Sequence, residues 1–393
     1  MKKIGIYLAS NQKSGGIFQY NINFIKALDE LKKYFEIYYV YTDKIWEKYI
    51  PQNSQKIFIK KGIFYTFILN FFINNILIKK IIYSLILIFL NFFKIKINKL
   101  KKNNVIDELK CKYFIFPSQD IISYQIKTKS IVAIHDLMHM FHPYFFEYRN
   151  KEFEIRNIHY NLISKFATKI LVDSRVGKEH VLNKLKTNPN KVEILPFYPT
   201  EYLKKNKKIN IFKKYKIPKN YIFYPAHFWE HKNHKILVDA CVIANNYGYK
   251  FNFIFVGGKK NNYNKILNLI KNYGLEKQFY VLGYIDEDDM HSFYKNSLAT
   301  CYVSLLGPTN IPPIEAIYCG SPLLYSNIYG MKEQMKYAGI PINPYNAEEI
   351  VNNLIMIKNN KLLRRSMINK GFKRIKEINS FSFKKKIYEI LSH

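Results

Sequence analysis

The sequence is poor in cysteine. Its 393 residues include only four, Cys111, Cys241, Cys301 and Cys319, and no C-x-x-C pair occurs. Thiols scattered in this way exclude a disulfide framework and a cysteine-based zinc site, and they fit a reducing, cytoplasmic compartment. The N-terminal stretch MKKIGIYLASN lacks the long apolar run of a secretory signal peptide and instead predicts a first β-strand.

Arginine is also scarce, since only six of the 62 basic residues are arginines, although the formal net charge is +33. Proteins that read phosphates favour the planar arginine fork, and no nucleic-acid-binding module is recognisable in the chain. The joint excess of lysine, isoleucine, asparagine, tyrosine and phenylalanine indicates a coding bias. The charge therefore favours an anionic membrane surface over nucleic acid, at about 1 kcal/mol for each lysine near the headgroups.

Apolar runs of strand length alternate with amphipathic helical stretches along most of the chain. Alternation of this kind predicts parallel sheets, so the expected fold class is α/β, with two Rossmann-like doubly wound domains facing a central cleft. A chain of 393 residues is also too long for one core. The predicted strands are KIGIYLAS, FEIYYVYT, KYFIFPS, SIVAIHDL and KILVDS, followed by YIFYPAHF, FNFIFVGG, FYVLGYI, LATCYVS and PLLYSN.

A stretch rich in proline and lysine, at 196–220, marks the domain boundary. We expect an N-terminal domain at 1–200, a C-terminal domain at 201–375, and a final amphipathic helix at 376–393.

A long apolar stretch at 62–93 interrupts the first series of strands. Lys79 and Lys80 divide it into pieces that are short for a membrane span, and five lysines follow between 94 and 102. A buried helical pair, an interfacial segment and a true span are all open. The basic flank favours an interfacial segment at 62–98, which would hold the protein on the inner face of the cytoplasmic membrane.

Two glycines stand between the first strand and the first helix, in SGGIFQYN. Gly15 and Gly16 allow a ligand to approach the backbone, and the helix N-terminus after them offers N–H groups to an anion. A tight structural turn explains the same residues equally well. The segment does not match G-x-G-x-x-G, which argues against a dinucleotide-binding fold.

Polar residues follow two further strands. His135 and Asp136 end an apolar strand, where a general acid, a general base or a sugar-orienting group would lie. A buried structural pair is the alternative. His227 and Lys232 follow the first strand of the second domain, and Lys232 is placed at a helix start to neutralise a diphosphate. A solvated lysine is the alternative there.

The segment GPTNIPPIEA predicts a helix with two prolines in its first turn. Thr309 and Asn310 suit the cap before it, which would leave N–H groups for phosphate. Glu315 could accept hydrogen bonds from a ribose diol or could merely stabilise the helix dipole. The four acids at 286–289 begin another helix, where first-turn acids are ordinary, so no metal is expected.

In their order and approximate spacing, these segments resemble the family 4 glycosyltransferases, a retaining group with the GT-B fold. The resemblance implies an enzyme that needs no metal and moves a hexose-type sugar, such as mannose or rhamnose, from a nucleotide-sugar to a glycan or lipid-linked acceptor in bacterial surface-polysaccharide synthesis. The motifs are SGGIFQY, AIHDLMHMFHP, LVDSRVGKEHV, YPAHFWEHKNH, FVGG, LGYIDEDDMHSFYKNS and GPTNIPPIEAIYCGSPLLYSN.

The resemblance also implies that the N-terminal domain binds the acceptor and that the C-terminal domain binds the nucleotide-sugar, and it implies residue roles. Lys232 would pair with the diphosphate, Glu315 would bind the ribose, and His135 would touch the donor sugar near the reacting carbon. The final helix resembles one that crosses back onto the first domain. We therefore predict His135, Asp136 and Lys232 as catalytic residues, and Gly15, Gly16, His227, Lys232, Thr309, Asn310 and Glu315 as residues that bind the donor.

Two positions depart from the family pattern. Gly307 stands eight residues before Glu315, where the family commonly has another glutamate, so sugar recognition would fall to other residues. His227 stands five residues before Lys232, where the family often has arginine, which implies a weaker or pH-dependent phosphate contact. An epimerase or a phosphorylase of the same fold, and an inactive partner in glycan assembly, are the alternative functions.

Overall fold

The computed structural model describes residues 1–59, 105–149, 151–204 and 209–392. The apolar segment at 62–98, for which we predict an interfacial position, lies outside these ranges. No helix within the described ranges combines the length and the apolar character that crossing a membrane requires.

The first domain is built on a parallel sheet whose described strands lie in the order β3-β2-β1-β4-β5-β6-β7. Its central strands are buried, as their continuous apolar runs predict. The strands are β1 (Lys2–Leu8), β2 (Phe35–Tyr41), β3 (Gln55–Phe58), β4 (Tyr113–Phe116), β5 (Lys129–Ala133), β6 (Lys169–Val172) and β7 (Val192–Ile194). The helices are α1 (Gly16–Glu30), α2 (Val105–Glu108), α3 (Met138–Phe141), α4 (Lys151–Phe166) and α5 (Arg175–Leu185).

The second domain repeats this plan with a parallel sheet in the order β10-β9-β8-β11-β12-β13. The strands are β8 (Ile222–Pro225), β9 (Phe253–Val256), β10 (Phe279–Gly283), β11 (Ala299–Tyr302), β12 (Leu323–Ser326) and β13 (Ile340–Ile342). The helices are α6 (Ile211–Tyr215), α7 (His234–Asn246), α8 (Tyr263–Asn272), α9 (Glu287–Asn296), α10 (Ile311–Tyr318), α11 (Met331–Met335), α12 (Ala347–Asn359) and α13 (Lys361–Glu377).

The last helix, α14 (Ser380–Ser392), returns to the first domain and packs on α1. The ring of Phe383 lies 5.2 Å from that of Phe24, and Ile387 is buried in the same core. Lys384 pairs with Glu30 at the edge of this contact. The predicted fold class, two doubly wound α/β domains with a returning C-terminal helix, is confirmed.

Each sheet reverses its strand order beside its first strand, between β1 and β4 in the first domain and between β8 and β11 in the second. In open parallel sheets, ligands bind beyond the carboxyl ends of the strands at this point. The turn after β1 meets the second domain, since a Cβ atom built on Gly15 would lie 3.3 Å from Nε2 of His227. The two reversal points therefore face each other across the domain boundary.

The packing of β1 against β4 generates a stability prediction. Gly5 lies directly beside Phe114, whose ring covers it so closely that a Cβ atom there would stand 2.0 Å from Cε2. We expect Gly5→Ala to lower the free energy of unfolding by about 1–3 kcal/mol, because overpacking displaces the ring. Chemical denaturation measures the change.

Phe114→Leu in the Gly5→Ala background provides the control. The smaller side chain gives the new methyl group room, so the double variant should lose less stability than the sum of the two single variants. Additive losses would show that the ring does not restrict this position.

Candidate active site

A cleft with a volume of about 400 Å³ lies between the two domains. It is lined by the ends of β1, β5, β8 and β11 and by the first turn of α10, so both sheets contribute to it. All nine of the predicted site residues line this cleft, namely Gly15, Gly16, His135, Asp136, His227, Lys232, Thr309, Asn310 and Glu315.

The glycine turn brings the backbone of the first domain against the second. Gly15 has a φ angle of 59°, in the left-handed region that favours glycine. A Cβ atom on Gly16 would come within 3.0 Å of Ile311, so this position has no room for a larger residue without movement. α1 begins at Gly16, and its first-turn N–H groups have no partner within the helix.

Lys232 is held in place by oxygen atoms of the second domain. Its Nζ atom donates to the hydroxyl group of Tyr302 at 3.0 Å, to that of Ser304 at 3.3 Å and to Oδ1 of Asn310 at 3.5 Å. None of these partners is an acid, so the positive charge is not neutralised by them. Such a lysine is positioned to pair with an anionic ligand.

His227 is held through one ring nitrogen. The backbone N–H of Gly258 donates to its Nδ1 atom at 2.8 Å, so Nε2 carries the proton in the neutral ring. Burial, assisted by the nearby charges of Lys260 and Lys232, lowers the pKa of His227 to about 4. The imidazole is therefore neutral near neutral pH and offers a hydrogen-bond donor where the family pattern has a permanent charge.

The start of α10 differs from the predicted phosphate-binding cap. Asn310 occupies the cap position, but its side chain makes no capping hydrogen bond, because Oδ1 accepts from Lys232 and Tyr302. Its own N–H donates to Gln334. The prolines at 312 and 313 have no N–H, so the first turn supplies few donors. The turn therefore offers fewer N–H groups than the sequence predicts, and its role in binding phosphate stays a prediction.

Thr309 forms a hydrogen bond between the domains. Its hydroxyl group donates to Oδ2 of Asp173, which follows β6 of the first domain and also accepts from Ser174. Burial raises the pKa of Asp173 to about 6, although these hydrogen bonds oppose the rise. Thr309 thus lines the cleft, and its hydroxyl group already donates its proton to a residue of the first domain.

Glu315 lies on the floor of the cleft and is 5% exposed. Its Oε1 atom accepts from the hydroxyl groups of Thr200 and Tyr202, and Oε2 accepts from that of Tyr294, each at 2.8 Å. Burial raises the pKa of Glu315, and the three hydrogen bonds partly offset that effect. Because a carboxylate oxygen can accept two hydrogen bonds, Oε2 retains capacity for one more donor.

His135 and Asp136, which lie just beyond the end of β5, are fixed by hydrogen bonds to the backbone. His135 donates from Nε2 to the carbonyl oxygen of Pro117 at 2.9 Å, so Nδ1 is left as an acceptor in the neutral ring. Burial lowers the pKa of His135. Asp136 accepts the N–H of Met138 at 2.9 Å through Oδ1. Both residues therefore bring acceptor atoms to the cleft.

Gly307 has a φ angle of 112°, and a Cβ atom there would come within 2.8 Å of Asn310. A side chain at this position would be strained whatever its chemistry. The first of the family's two glutamates is therefore replaced by a turn that could not hold it without a change in the backbone.

A second cavity, of about 540 Å³, adjoins the cleft and shares Gln12, Gln19, Tyr202 and Glu287 with it. It contains none of the nine predicted residues, and its acids behave as ordinary first-turn residues, since α9 begins at Glu287 as predicted. Lys214 donates to Asp286 and Asp289 at 2.6 Å each. Within the described ranges, no group of three His, Cys, Asp or Glu residues is arranged to hold a metal ion.

Several residues that shape the cleft were not predicted from the sequence. Tyr302 and Ser304 position Lys232, and Tyr294 and Tyr202 fix Glu315. Tyr302 and Ser304 stand at the carboxyl end of LATCYVS, the same kind of position that identified His135, and this was the available signal. The hydroxyl groups around Glu315 come from distant parts of the chain and carry no local pattern.

Comparisons with known proteins agree with this geometry. Residues 207–374 match the model of the group 1 glycosyl transferases. The serotype-specific mannosyltransferase WbdA of Escherichia coli is 24% identical over 238 residues, which cover 57% of this chain and 28% of WbdA. The O-antigen chain mannosyltransferase RfbU of Salmonella typhimurium is 22% identical over 218 residues, which cover 54% of this chain and 56% of RfbU. The chain thus spans less than two thirds of either relative.

Among solved structures, Anabaena Alr3699/HepE in complex with UDP and glucose superposes with a TM-score of 0.71 at 15% identity, with both chains covered completely. At this identity the likeness establishes the fold, which is GT-B. The matched segment at 207–374 contains every strand of the second sheet. The comparisons thus relate residues 207–374 to the group 1 glycosyl transferases and the whole chain to the GT-B fold.

Proposed function

We propose that this protein is a retaining, metal-independent glycosyltransferase. It would move a hexose-type sugar, with mannose as the first candidate, from a nucleotide-sugar to a glycan or lipid-linked acceptor in bacterial surface-polysaccharide synthesis. It would act in the cytoplasm, on the inner face of the membrane. The mannosyltransferase relatives and the UDP-bound structural neighbour support the sugar and the donor class.

The observation that carries the proposal is the convergence of nine separately predicted residues on one cleft between the two domains. They come from four segments of the chain, and each segment was selected for a role in binding or transferring a sugar nucleotide. A buried structural pair or a solvated lysine would not have to face a common cavity. Their convergence favours the functional interpretation of each segment.

In this proposal, Lys232 and His227 stabilise the leaving diphosphate. Lys232 supplies the positive charge, and the Nε2 proton of His227 supplies a fixed donor. Gly15 and Gly16 allow the phosphates to approach the N-terminus of α1. Fixed donors that face the developing negative charge stabilise it, and the proposed step therefore uses no metal ion.

Glu315 and the residues after β5 would orient the two ends of the donor. The spare capacity of Oε2 on Glu315 suits one ribose hydroxyl group. Nδ1 of His135 and the carboxylate of Asp136 are acceptors for hydroxyl groups of the transferred sugar. The first domain would bring the acceptor substrate to the face of the transferred sugar that the diphosphate leaves. Retention of the anomeric configuration requires this geometry.

The first prediction from the proposed function concerns Lys232. We expect Lys232→Ala to weaken the binding of UDP-glucose or GDP-mannose by about 10- to 100-fold, because a charge-assisted hydrogen bond to the diphosphate is lost. Isothermal titration calorimetry in the presence of EDTA measures the affinity. The matched control is Lys235→Ala, which removes a lysine that is paired with Asp239 and does not line the cleft.

Equal affinities in the wild type and in Lys232→Ala would remove Lys232 from the donor site. Binding that depends on an added divalent cation would contradict the metal-independent mechanism. If a panel of nucleotide-sugars fails to bind to the well-folded wild type, the proposed transferase activity fails as a whole.

The second prediction concerns stereochemistry. With the donor identified by calorimetry, we expect the product to keep the anomeric configuration of that donor. Proton NMR of the product formed in the first minutes reads the anomeric coupling directly. An inverted product would contradict the retaining mechanism and would leave the donor assignment intact.

The third prediction concerns pH. Because the pKa of His227 is about 4, below the ordinary value of 6.5, the ring gains its charge only in acid. We expect the ratio of nucleotide-sugar affinities between the wild type and His227→Gln to stay constant from about pH 6 to about pH 8. It should rise only as the pH falls towards the pKa. A ratio that changes near pH 6.5 would show a charged, pH-sensing histidine.

A further inference from the structure

A short segment of the first domain encloses His231 of the second. The ring of Tyr148 lies nearly parallel to the imidazole, at 14° and with 6.3 Å between centroids, and Phe145 approaches it edge-on at 6.2 Å. Between these two aromatic residues, Glu147 accepts a hydrogen bond from Nδ1 of His231. His231 immediately precedes Lys232, so this contact is made beside the predicted diphosphate site.

Glu147 is itself fixed on both oxygens. Oε1 also accepts the backbone N–H of His231 at 3.4 Å, and Oε2 accepts from Nδ2 of Asn261 at 3.0 Å. Its side chain is 6% exposed and that of His231 is 12% exposed. Although burial disfavours the charged form, the hydrogen bonds from His231 hold the pKa of Glu147 below its ordinary value. The carboxylate is therefore an ionised, oriented acceptor.

This carboxylate determines the tautomer of the histidine. A carboxylate can only accept, so the proton of the neutral ring lies on Nδ1 and Nε2 is left with a lone pair. Burial lowers the pKa of His231, which keeps the ring neutral. Among the described residues Nε2 has no hydrogen-bond partner, and His231 lines the cleft, as do His135 and Asp136. An oriented acceptor in a cleft that two other acceptors also line is suited to a hydroxyl group.

We propose that Glu147 and His231 form an interdomain dyad in which Nε2 of His231 accepts a hydrogen bond from a hydroxyl group of the transferred sugar. His231 contacts the donor, and Glu147 is a positioning residue that acts through it. The inference rests on the proposed glycosyltransferase function and adds a determinant of sugar binding to it. The two residues belong to different domains. Nε2 of His231 is therefore oriented as a hydrogen-bond acceptor only when the domains are together.

Nitrogen NMR of the full chain labelled with ¹⁵N-histidine tests the dyad. We expect His231 to have a protonated Nδ1 and a bare Nε2, and we expect Nε2 to shift when UDP-glucose or GDP-mannose, whichever binds, is added. The matching nucleoside diphosphate carries the same ribose and phosphates without the sugar, so it should leave Nε2 unchanged. His231→Asn assigns the resonance by its loss.

Two variants separate the roles of the pair. In His231→Asn, the amide can keep the hydrogen bond to Glu147 while Nε2 is lost. In Glu147→Gln, the fixed tautomer is lost, and we expect a population with the proton on Nε2. Each should weaken nucleotide-sugar binding by about tenfold and leave nucleoside diphosphate binding unchanged. Glu152→Gln, which changes an exposed acid on α4, is the matched control.

The outcomes are distinguishable. A nucleotide-sugar that binds in calorimetry without shifting Nε2, or a wild type with the proton on Nε2, overturns the dyad and leaves the transferase function standing. Equal weakening of nucleotide-sugar and nucleoside diphosphate in both variants would show a purely structural contact and would also overturn it. If no nucleotide-sugar binds to the wild type, the transferase function fails and the dyad fails with it.

Discussion

A buried carboxylate is the constraint on which the arrangement of the cleft depends. Glu315 can remain on the floor of the cleft only because hydroxyl groups surround it, since an unpaired charge in this environment would cost several kcal/mol, about the whole stability margin of a domain. Two of its donors, Thr200 and Tyr202, lie in the connection between the domains, and the third belongs to α9. The carboxylate thus links α10 to the connection between the domains and to α9.

The fold followed from the sequence where the strands are central. The ten predicted strands have strong apolar signals and all ten are present, including β10, which is a half-buried edge strand. Within the described ranges, the strands that were missed are β3, β7 and β13, which are short and lie at sheet edges. Their sequences, QKIF, VEI and IPI, bury few side chains, and Pro341 is tolerated only because an edge strand needs fewer ladder bonds. Such strands form by pairing with an adjacent strand of the sheet, and the local sequence carries no signal of that pairing.

The site was predictable to the extent that it follows from topology. The carboxyl ends of parallel strands must gather at one edge, so polar residues there could be grouped without coordinates. The hydrogen-bond partners of each residue could not be predicted in this way. Asn310 looked like a helix cap, but Lys232 and Tyr302 compete for its side chain, and Thr309 is engaged by Asp173 from the other domain. Contacts across a domain boundary join residues that are far apart in the sequence, such as Thr309 and Asp173 at a separation of 136 positions, and no spacing rule predicts them.

The return of α14 to the first domain has a mechanical consequence. The chain passes between the domains twice, once after β7 and again between α13 and α14, so the domains are joined by two covalent connections. One connection would permit sliding and twisting in several directions. Two connections restrict large relative movement of the domains to rotation about a hinge axis, which is the line that joins the two connections. Opening of the cleft is then a single degree of freedom, and every contact across its mouth is broken or made in the same motion.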